Sequence, residues 1–299
     1  MERYSHYSFK QYDNKLFTVT EHYAPGKTYS FGVVWSRERC AVLDTGLGLF
    51  GDMRKYIEGF TGFEKAIYAV CTSGDAQSVG AVGLFDEAFV NGADLGMAAE
   101  SVTPEKRIAV LNCLTDGAAV QDGAKRLNIV DNSRTPLCDY RDPRFLRTPD
   151  AFDHFHLGGV HIEGEDLPGY TPGSIVLSVH GDDTVNAMFC GKSLSPRVNY
   201  LHRLDRAGLE NYRDRLKALI SNAERYAAFP VKKVSTVYFF SADSQGEAFF
   251  IDVPKKILAG VEDILRGRTA ADMPAAYDGK DIRIHFAGSA QLLYDPALL

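Results

Sequence analysis

Three histidines, His154, His156 and His161, lie close together in the run DHFHLGGVH. A spacing of two puts His154 and His156 on the same face of a strand. The run is open to two readings, a metal site or a solvated strand edge. Ser73 and Ser78 are hydroxyl nucleophile candidates, but no His–Asp set is evident beside either, so a serine-hydrolase triad is unsupported. Asp44, in LDTGLG, reads as a residue that shapes a strand-to-turn junction rather than one that carries chemistry. Arg134, Arg141, Arg144 and Arg147 form a basic segment, either a solvated loop or the border of a pocket for an anionic ligand. The five cysteines, at positions 40, 71, 113, 138 and 190, are odd in number and widely spaced, with no C-x-x-C pair. That pattern predicts reduced thiols. Cys40, Cys71 and Cys190 fall inside apolar strand-like runs and are expected to be buried and inert.

The elements that must position these residues follow from periodicity. Leu16 to Thr20 alternates and is β-rich; Ser30 to Trp35 and Cys40 to Leu43 are further short apolar runs, with Arg37, Glu38 and Arg39 as the turn between them. Gly51 to Phe60 is expected to be helical, with Met53, Tyr56 and Ile57 at helical spacing. Ala66 to Cys71 reads as a buried strand, and Val79 to Phe89 as a helix carrying Val82, Leu84, Phe85 and Phe89. Strand, helix, strand, helix implies a layered α/β fold. From Asn112 to Arg147 the chain reads as loops with short strands. Strands return at Val160–Ile162, Ser174–Val179 and Val185–Cys190, the last two joined as a hairpin by Gly181, Asp182 and Asp183. Leu209 to Tyr226 is an amphipathic helix with Leu209, Tyr212, Leu216 and Leu219 on one face. Val234 to Phe240 reads as a strand, Pro254 to Arg266 as a helix with an early proline, and Ile282–Phe286 and Gln291–Tyr294 as a closing pair of strands. No linker-like stretch or repeat is evident, so residues 1–299 are expected to form one domain.

Composition narrows the class. Of the 299 residues, 45% are hydrophobic and 24% charged, an ordinary globular balance that excludes a disordered, coiled-coil or collagen-like chain. A formal net charge of −6 argues against nucleic acid as the main partner. No uncharged apolar run approaches the ~18 residues of a membrane span. The start, MERYSHYSFKQYDNK, lacks the apolar stretch of a signal peptide, so a cytoplasmic location is expected. Its aromatic residues, Tyr4, Tyr7, Phe9 and Tyr12, have two possible homes, another subunit of an oligomer or the chain's own core.

The segment from Ala69 to Ala81, AVCTSGDAQSVGA, frames a strand that ends in Thr, a polar loop and a glycine-containing helix start. It resembles the metallo-β-lactamase superfamily, whose strand ends in T-H-x-H-x-D-H-x-G-G. Three further pieces fall in the family's order: LDTG at Leu43–Gly46, LPGYTPGS at Leu167–Ser174 beside the family's P-G-H-T-P-G-S, and FCGKSL at Phe189–Leu194 beside its F-x-G-D-x-L. The resemblance covers residues 15 to 245, and the tail from Ile282 to Asp295 also fits. It implies an αββα sandwich: two facing mixed sheets with helices outside.

At the family's metal ligands this chain departs from the pattern. The positions of the first loop carry Ser73, Asp75, Gln77 and Ser78. The next ligand position carries Tyr170, and the position of the aspartate that bridges two metals carries Lys192. No histidine stands near Ser241 to Asp243, where the last is expected. Zinc needs three or four converging N, S or carboxylate donors, and of this set only Asp75 is a good one. At an effective dielectric near 20, like charges ~4 Å apart repel by roughly 4 kcal/mol, so Lys192 opposes a divalent cation there. The resemblance therefore implies a degenerate member with no metal and no cofactor, and without a metal-bound hydroxide the family's hydrolytic route is lost.

Two kinds of function follow. The first is a non-hydrolytic protein, either a small-molecule binder that uses the old pocket, formed by Ser73, Asp75, Gln77, Ser78, Tyr170 and Lys192, or a structural subunit. The second is an enzyme with a rewired metal-free site of Lys192, Tyr170 and Asp75. A metal-dependent hydrolase with other ligands, such as the His154 cluster, is a third. In the first two, Lys192 is expected to pair with Asp75.

Overall fold

The computed structural model describes residues 6–36, 38–62, 66–115, 127–141, 154–181, 184, 186–228, 236–277 and 279–299. A first sheet contains seven strands in chain order: β1 (Tyr7–Gln11), β2 (Leu16–Ala24), β3 (Lys27–Trp35), β4 (Cys40–Leu43), β5 (Ile67–Val70), β6 (Glu87–Val90) and β7 (Leu137–Asp139). The first four run antiparallel and β4 to β7 run parallel. Parallel neighbours need crossovers. These are α1 (Met53–Thr61), α2 (Ala76–Val79) with a 3-10 turn, and the pair α3 (Leu95–Ser101) and α4 (Pro104–Thr115). A second, five-stranded sheet takes β8 (His154–His156), β9 (Val160–Asp166), β10 (Ile175–Gly181) and β11 (Ala187–Phe189). β12 (Val198–Tyr200) leaves for a third sheet before β13 (Tyr238–Phe240) returns to pair parallel with β11. The third sheet places β12 beside β16 (Ala290–Tyr294), then β15 (Lys280–Ala287) and β14 (Met273–Tyr277). Helices α5 (Arg206–Ala228) and α6 (Asp252–Leu265) complete the elements.

Alternation along the strands sorts the side chains into layers. Ala41, Leu43, Val70 and Phe89 of the first sheet meet Ile162, Ile175, Leu177, Val179 and Phe189 of the second in a central core. Their neighbours Cys40, Val42, Ile67 and Ala69 point the other way, onto Met53 and Ile57 of α1. On the far side, Val176, Met188 and Phe239 pack against Leu209, Tyr212, Leu216 and Leu219 of α5 and against Ile257 and Val261 of α6. The order helix, sheet, sheet, helix is the αββα sandwich. Each fully buried Leu, Ile or Phe in it stabilises the chain by about 1.5–3 kcal/mol.

The elements expected at 51–60, 209–226 and 254–266 appear as α1, α5 and α6, and the strand pairs β10–β11 and β15–β16 are antiparallel as expected. Residues 182 and 183 of the expected hairpin turn, and 185 and 234–235 of the expected strands, lie outside the described residues. The expected helix at Val79–Phe89 is corrected. That stretch holds the end of α2, a 3-10 turn at Val82–Leu84 and the strand β6. Gly80 and Gly83 weaken a helix, and β6 sends Phe89 into the central core while Ala88 and Val90 go to the outer one. A second correction lies at Asn112, where helix α4 carries on to Thr115. The four-stranded third sheet adds to the two expected. Among the described residues no helix is long and apolar enough to cross a membrane.

The aromatic start packs on this chain. Tyr7 stacks on Tyr56 at 5.3 Å between ring centres, Phe9 on Phe60 at 4.9 Å, and Tyr12 meets Phe240 at 4.7 Å; Tyr4 lies outside the described residues.

Candidate functional site

Three loops at the ends of strands converge. After β5, Cys71 N–H donates to Phe89 O at 2.8 Å and Ile175 N–H donates to Thr72 O at 2.9 Å, which extends the sheet into the loop that carries Ser73 and Asp75. Asp75 caps α2: its Oδ1 accepts from the backbone N–H of Gln77 at 3.0 Å and of Ser78 at 2.8 Å. After β11, Cys190 N–H donates to Phe240 O and Ala242 N–H to Gly191 O, both at 2.8 Å. Gly191 has φ +52°, and a Cβ there would lie 2.0 Å from Thr72 Oγ1. Glycine therefore lets the chain turn under β5 and aim Lys192 back across it. The third loop, Leu167–Ser174, is tied by Thr171 N–H to Ser174 Oγ at 2.9 Å and carries Tyr170.

Lys192 Nζ donates to Asp75 Oδ2 at 2.5 Å and to Tyr170 Oη at 3.1 Å, and it lies 4.7 Å from the centre of the Tyr170 ring. The side chains of Lys192 and Asp75 are only 17% and 12% exposed. Burial raises the pKa of Asp75, but the Lys192 ammonium, its hydrogen bond and those of Tyr170 and Ser78 N–H outweigh this and hold the carboxyl below its usual range. Burial lowers Lys192, but Asp75 and Tyr170 outweigh it and hold the ammonium above the usual lysine range. Tyr170 is pushed up by burial and by Asp75. Near neutral pH the arrangement is carboxylate, ammonium and protonated phenol.

Beneath it runs a chain of hydroxyls. Ser73 Oγ meets Ser78 Oγ at 2.9 Å, and Ser78 Oγ meets Tyr29 Oη at 3.0 Å. Tyr29 Oη donates to Asp44 Oδ2 at 3.0 Å, and Asp44 also accepts from Thr72 N–H at 2.7 Å. Asp44, at φ 69°, thus locks the strand-to-turn junction. Burial pushes its carboxyl up to about 7. Gln77 Nε2 donates to Tyr23 Oη at 3.3 Å. Ser73, Asp75, Gln77, Ser78, Tyr170 and Lys192 are thus joined in one hydrogen-bonded cluster.

Sequence reasoning missed two carboxylates. Asp94, fully buried, accepts from Gly74 N–H and Gly173 N–H at 2.8 Å and from Thr171 Oγ1 at 2.5 Å, fastening the Asp75 loop to the Tyr170 loop. Asp243 accepts from Ser195 Oγ at 2.7 Å and Ser241 Oγ at 2.7 Å, where the family pattern has its last histidine. Tyr200 stands close enough to feel both Lys192 and Asp243, and its ring meets Tyr170 at 5.7 Å and Tyr277 at 5.3 Å.

The other sequence candidates are elsewhere. β8 is the edge strand of the second sheet, and His156 on it is exposed. The rings of His156, His161 and His180 contact one another in turn, at 4.5 and 5.4 Å. Arg134 is exposed, Arg141 pairs with Asp166, and Arg144 and Arg147 lie outside the described residues. Cys40, Cys71 and Cys190 are buried thiols.

This architecture is the metallo-β-lactamase fold. The structure is similar to a crystal structure of VMB-1 at pH 5.5, with a TM-score of 0.50 and 11% identity over 86% of this chain and 97% of that one. It is also similar to a metallo-β-lactamase from Pontibacter korlensis, with a TM-score of 0.52 and 12% identity over 86% of this chain and 99% of that one. No family model and no curated protein matches the chain. A metal ion does not fit the donor set: hydroxyls, an amide and a phenol are poor zinc ligands, Asp75 is engaged by Lys192, and Asp243 is engaged by Ser195 and Ser241. Among the described residues no group of three or more His, Cys, Asp or Glu is placed to hold a metal.

Proposed function

We propose that this chain is a degenerate member of the metallo-β-lactamase superfamily that works without a catalytic metal, as a small-molecule-binding protein and not as a hydrolase. The observation that carries this reading is the 2.5 Å contact of Lys192 Nζ with Asp75 Oδ2. An ammonium replaces a metal's charge but has no open coordination position, so it cannot lower the pKa of a bound water to a useful value.

The rewired-enzyme reading is weaker. Lys192 and Tyr170 hold their protons near neutral pH, so neither serves as base or nucleophile. Asp75 is ionised, but Lys192 and the backbone N–H groups of Gln77 and Ser78 already engage it. What the site offers is recognition. Two of the three Lys192 N–H groups have acceptors among the described residues, and the third suits an acceptor group on a small molecule.

The test is metal content together with hydrolysis of a β-lactam, a thioester and a phosphodiester. Sub-stoichiometric zinc, iron and manganese with background turnover are expected. One or two metal equivalents retained after mild chelation, or turnover that Lys192→Met abolishes, would overturn the reading.

A further inference from the structure

We propose that a cleft between β9 and α5 binds a small zwitterion of the α-amino-acid class, with Glu165 taking its ammonium and Arg215 its carboxylate. The cleft has a volume of about 290 Å³, near the lower end of small-molecule sites, and it shares no residue with the Lys192 cluster. One wall is the end of β9, from Gly164 to Asp166. The other is a single face of α5, where Arg215, Ala218 and Asn222 follow at helical spacing. Gly164 lets β9 pass over the buried Tyr140 ring, which a Cβ there would meet at 2.8 Å, while the next residue, Glu165, turns toward Ser178 and Asn222.

The charges decide the class of ligand. Asp166 is neutralised in place, accepting from Arg141 Nη2 at 2.7 Å and Asn91 Nδ2 at 3.2 Å. Among the described residues Glu165 has only neutral hydrogen-bond donors, Ser178 Oγ at 2.8 Å and Asn222 Nδ2 at 2.6 Å. Arg225 is nearby but donates to Asn222 Oδ1, at 2.5 Å. Burial holds the Glu165 carboxyl above its usual range, which is the state a ligand cation would relieve. Across the cleft, Arg215 is exposed and forms no ion pair among the described residues. One anion and one cation are thus left over on facing walls. A simple anion would meet Glu165, and a simple cation would meet Arg215; a molecule with both charges satisfies both.

Calorimetric titration of the full chain with each of the protein amino acids, at up to millimolar concentration, tests this. The tightest is then compared with its N-acetylated and decarboxylated forms, and amide shifts of Gly164, Ala218 and Asn222 locate the binding. We expect each modified form to bind at least about tenfold more weakly. Glu165→Gln should erase the preference over the N-acetyl form, and Arg215→Ala the preference over the decarboxylated form. Both substitutions lie at the cleft surface and leave the Lys192 cluster intact. Binding of no amino acid, equal binding of either modified form, or shifts confined to residues around Lys192 would overturn the proposal.

Discussion

Lys192 and Asp75 are 117 positions apart in the chain and 2.5 Å apart in space. Each is buried where an unpaired charge is costly, so each is the condition for the other. Lys192→Met is expected to destabilise the chain by about 3–5 kcal/mol, because it strands a carboxylate. Lys192→Met with Asp75→Asn should recover part of that loss, since asparagine still caps α2. A double-mutant cycle by denaturant melting reads the coupling, and a coupling near zero would show that the pair contributes nothing.

The pair should hold over a wide pH range. Asp75 has a lowered folded pKa, so its contribution is present above the unfolded value of about 3.9 and disappears as acid protonates the folded carboxylate. Lys192 has a raised one, so its contribution is present below about 10.4 and disappears as alkali deprotonates the folded ammonium. Melting of wild type minus the double variant should therefore be flat through neutral pH and fall at both extremes. A step near pH 7 in that difference would contradict it.

Glu21 and Asp44 should act in the opposite sense. Burial pushes both carboxyls up to about 7. Between the unfolded values and 7 the folded chain binds more protons, so stability falls as pH rises, and it levels off above 7. Glu21 Oε2 accepts from Leu47 N–H at 2.9 Å, whereas Oε1 has no hydrogen-bond partner among the described residues. Glu21→Gln should gain on wild type by on the order of 2 kcal/mol between pH 4 and pH 8. Urea melts at the two pH values measure this, and equal slopes for the two proteins would refute it.

Asp94 fastens two loops through three donors. Asp94→Ala leaves those donors buried and unmatched, at a cost of about 1–3 kcal/mol each before relaxation. Amide exchange at Gly74 and Gly173 should accelerate in the variant while α5 stays protected. Unchanged exchange at both glycines would remove Asp94 from this role.

Burial pushes the Cys40 thiol up to about 12 and raises Cys71 and Cys190 as well. A thiol reagent on the folded chain should label the exposed Cys113 first and reach these three only on unfolding. Labelling of Cys71 in the native state would mean that the floor of the site opens.

Much of this was legible in the sequence. The apolar runs at Cys40–Leu43 and Ile175–Val179 mark strands buried on both faces, and the ordered motifs at Leu43, Ala69, Leu167 and Phe189 define a frame in which Ser73, Gln77, Ser78, Tyr170 and Lys192 are visibly poor metal ligands. Periodicity reports how one segment divides its faces; it does not report what lies opposite. The tertiary structure alone decided that Val79–Phe89 breaks into turn and strand, because the core between the sheets takes Phe89 and the layer above takes its neighbours. It alone buried Glu21 and fixed Asp94 between two loops. It alone placed Glu165 across a cleft from Arg215, since each of these depends on contacts between segments far apart in the chain.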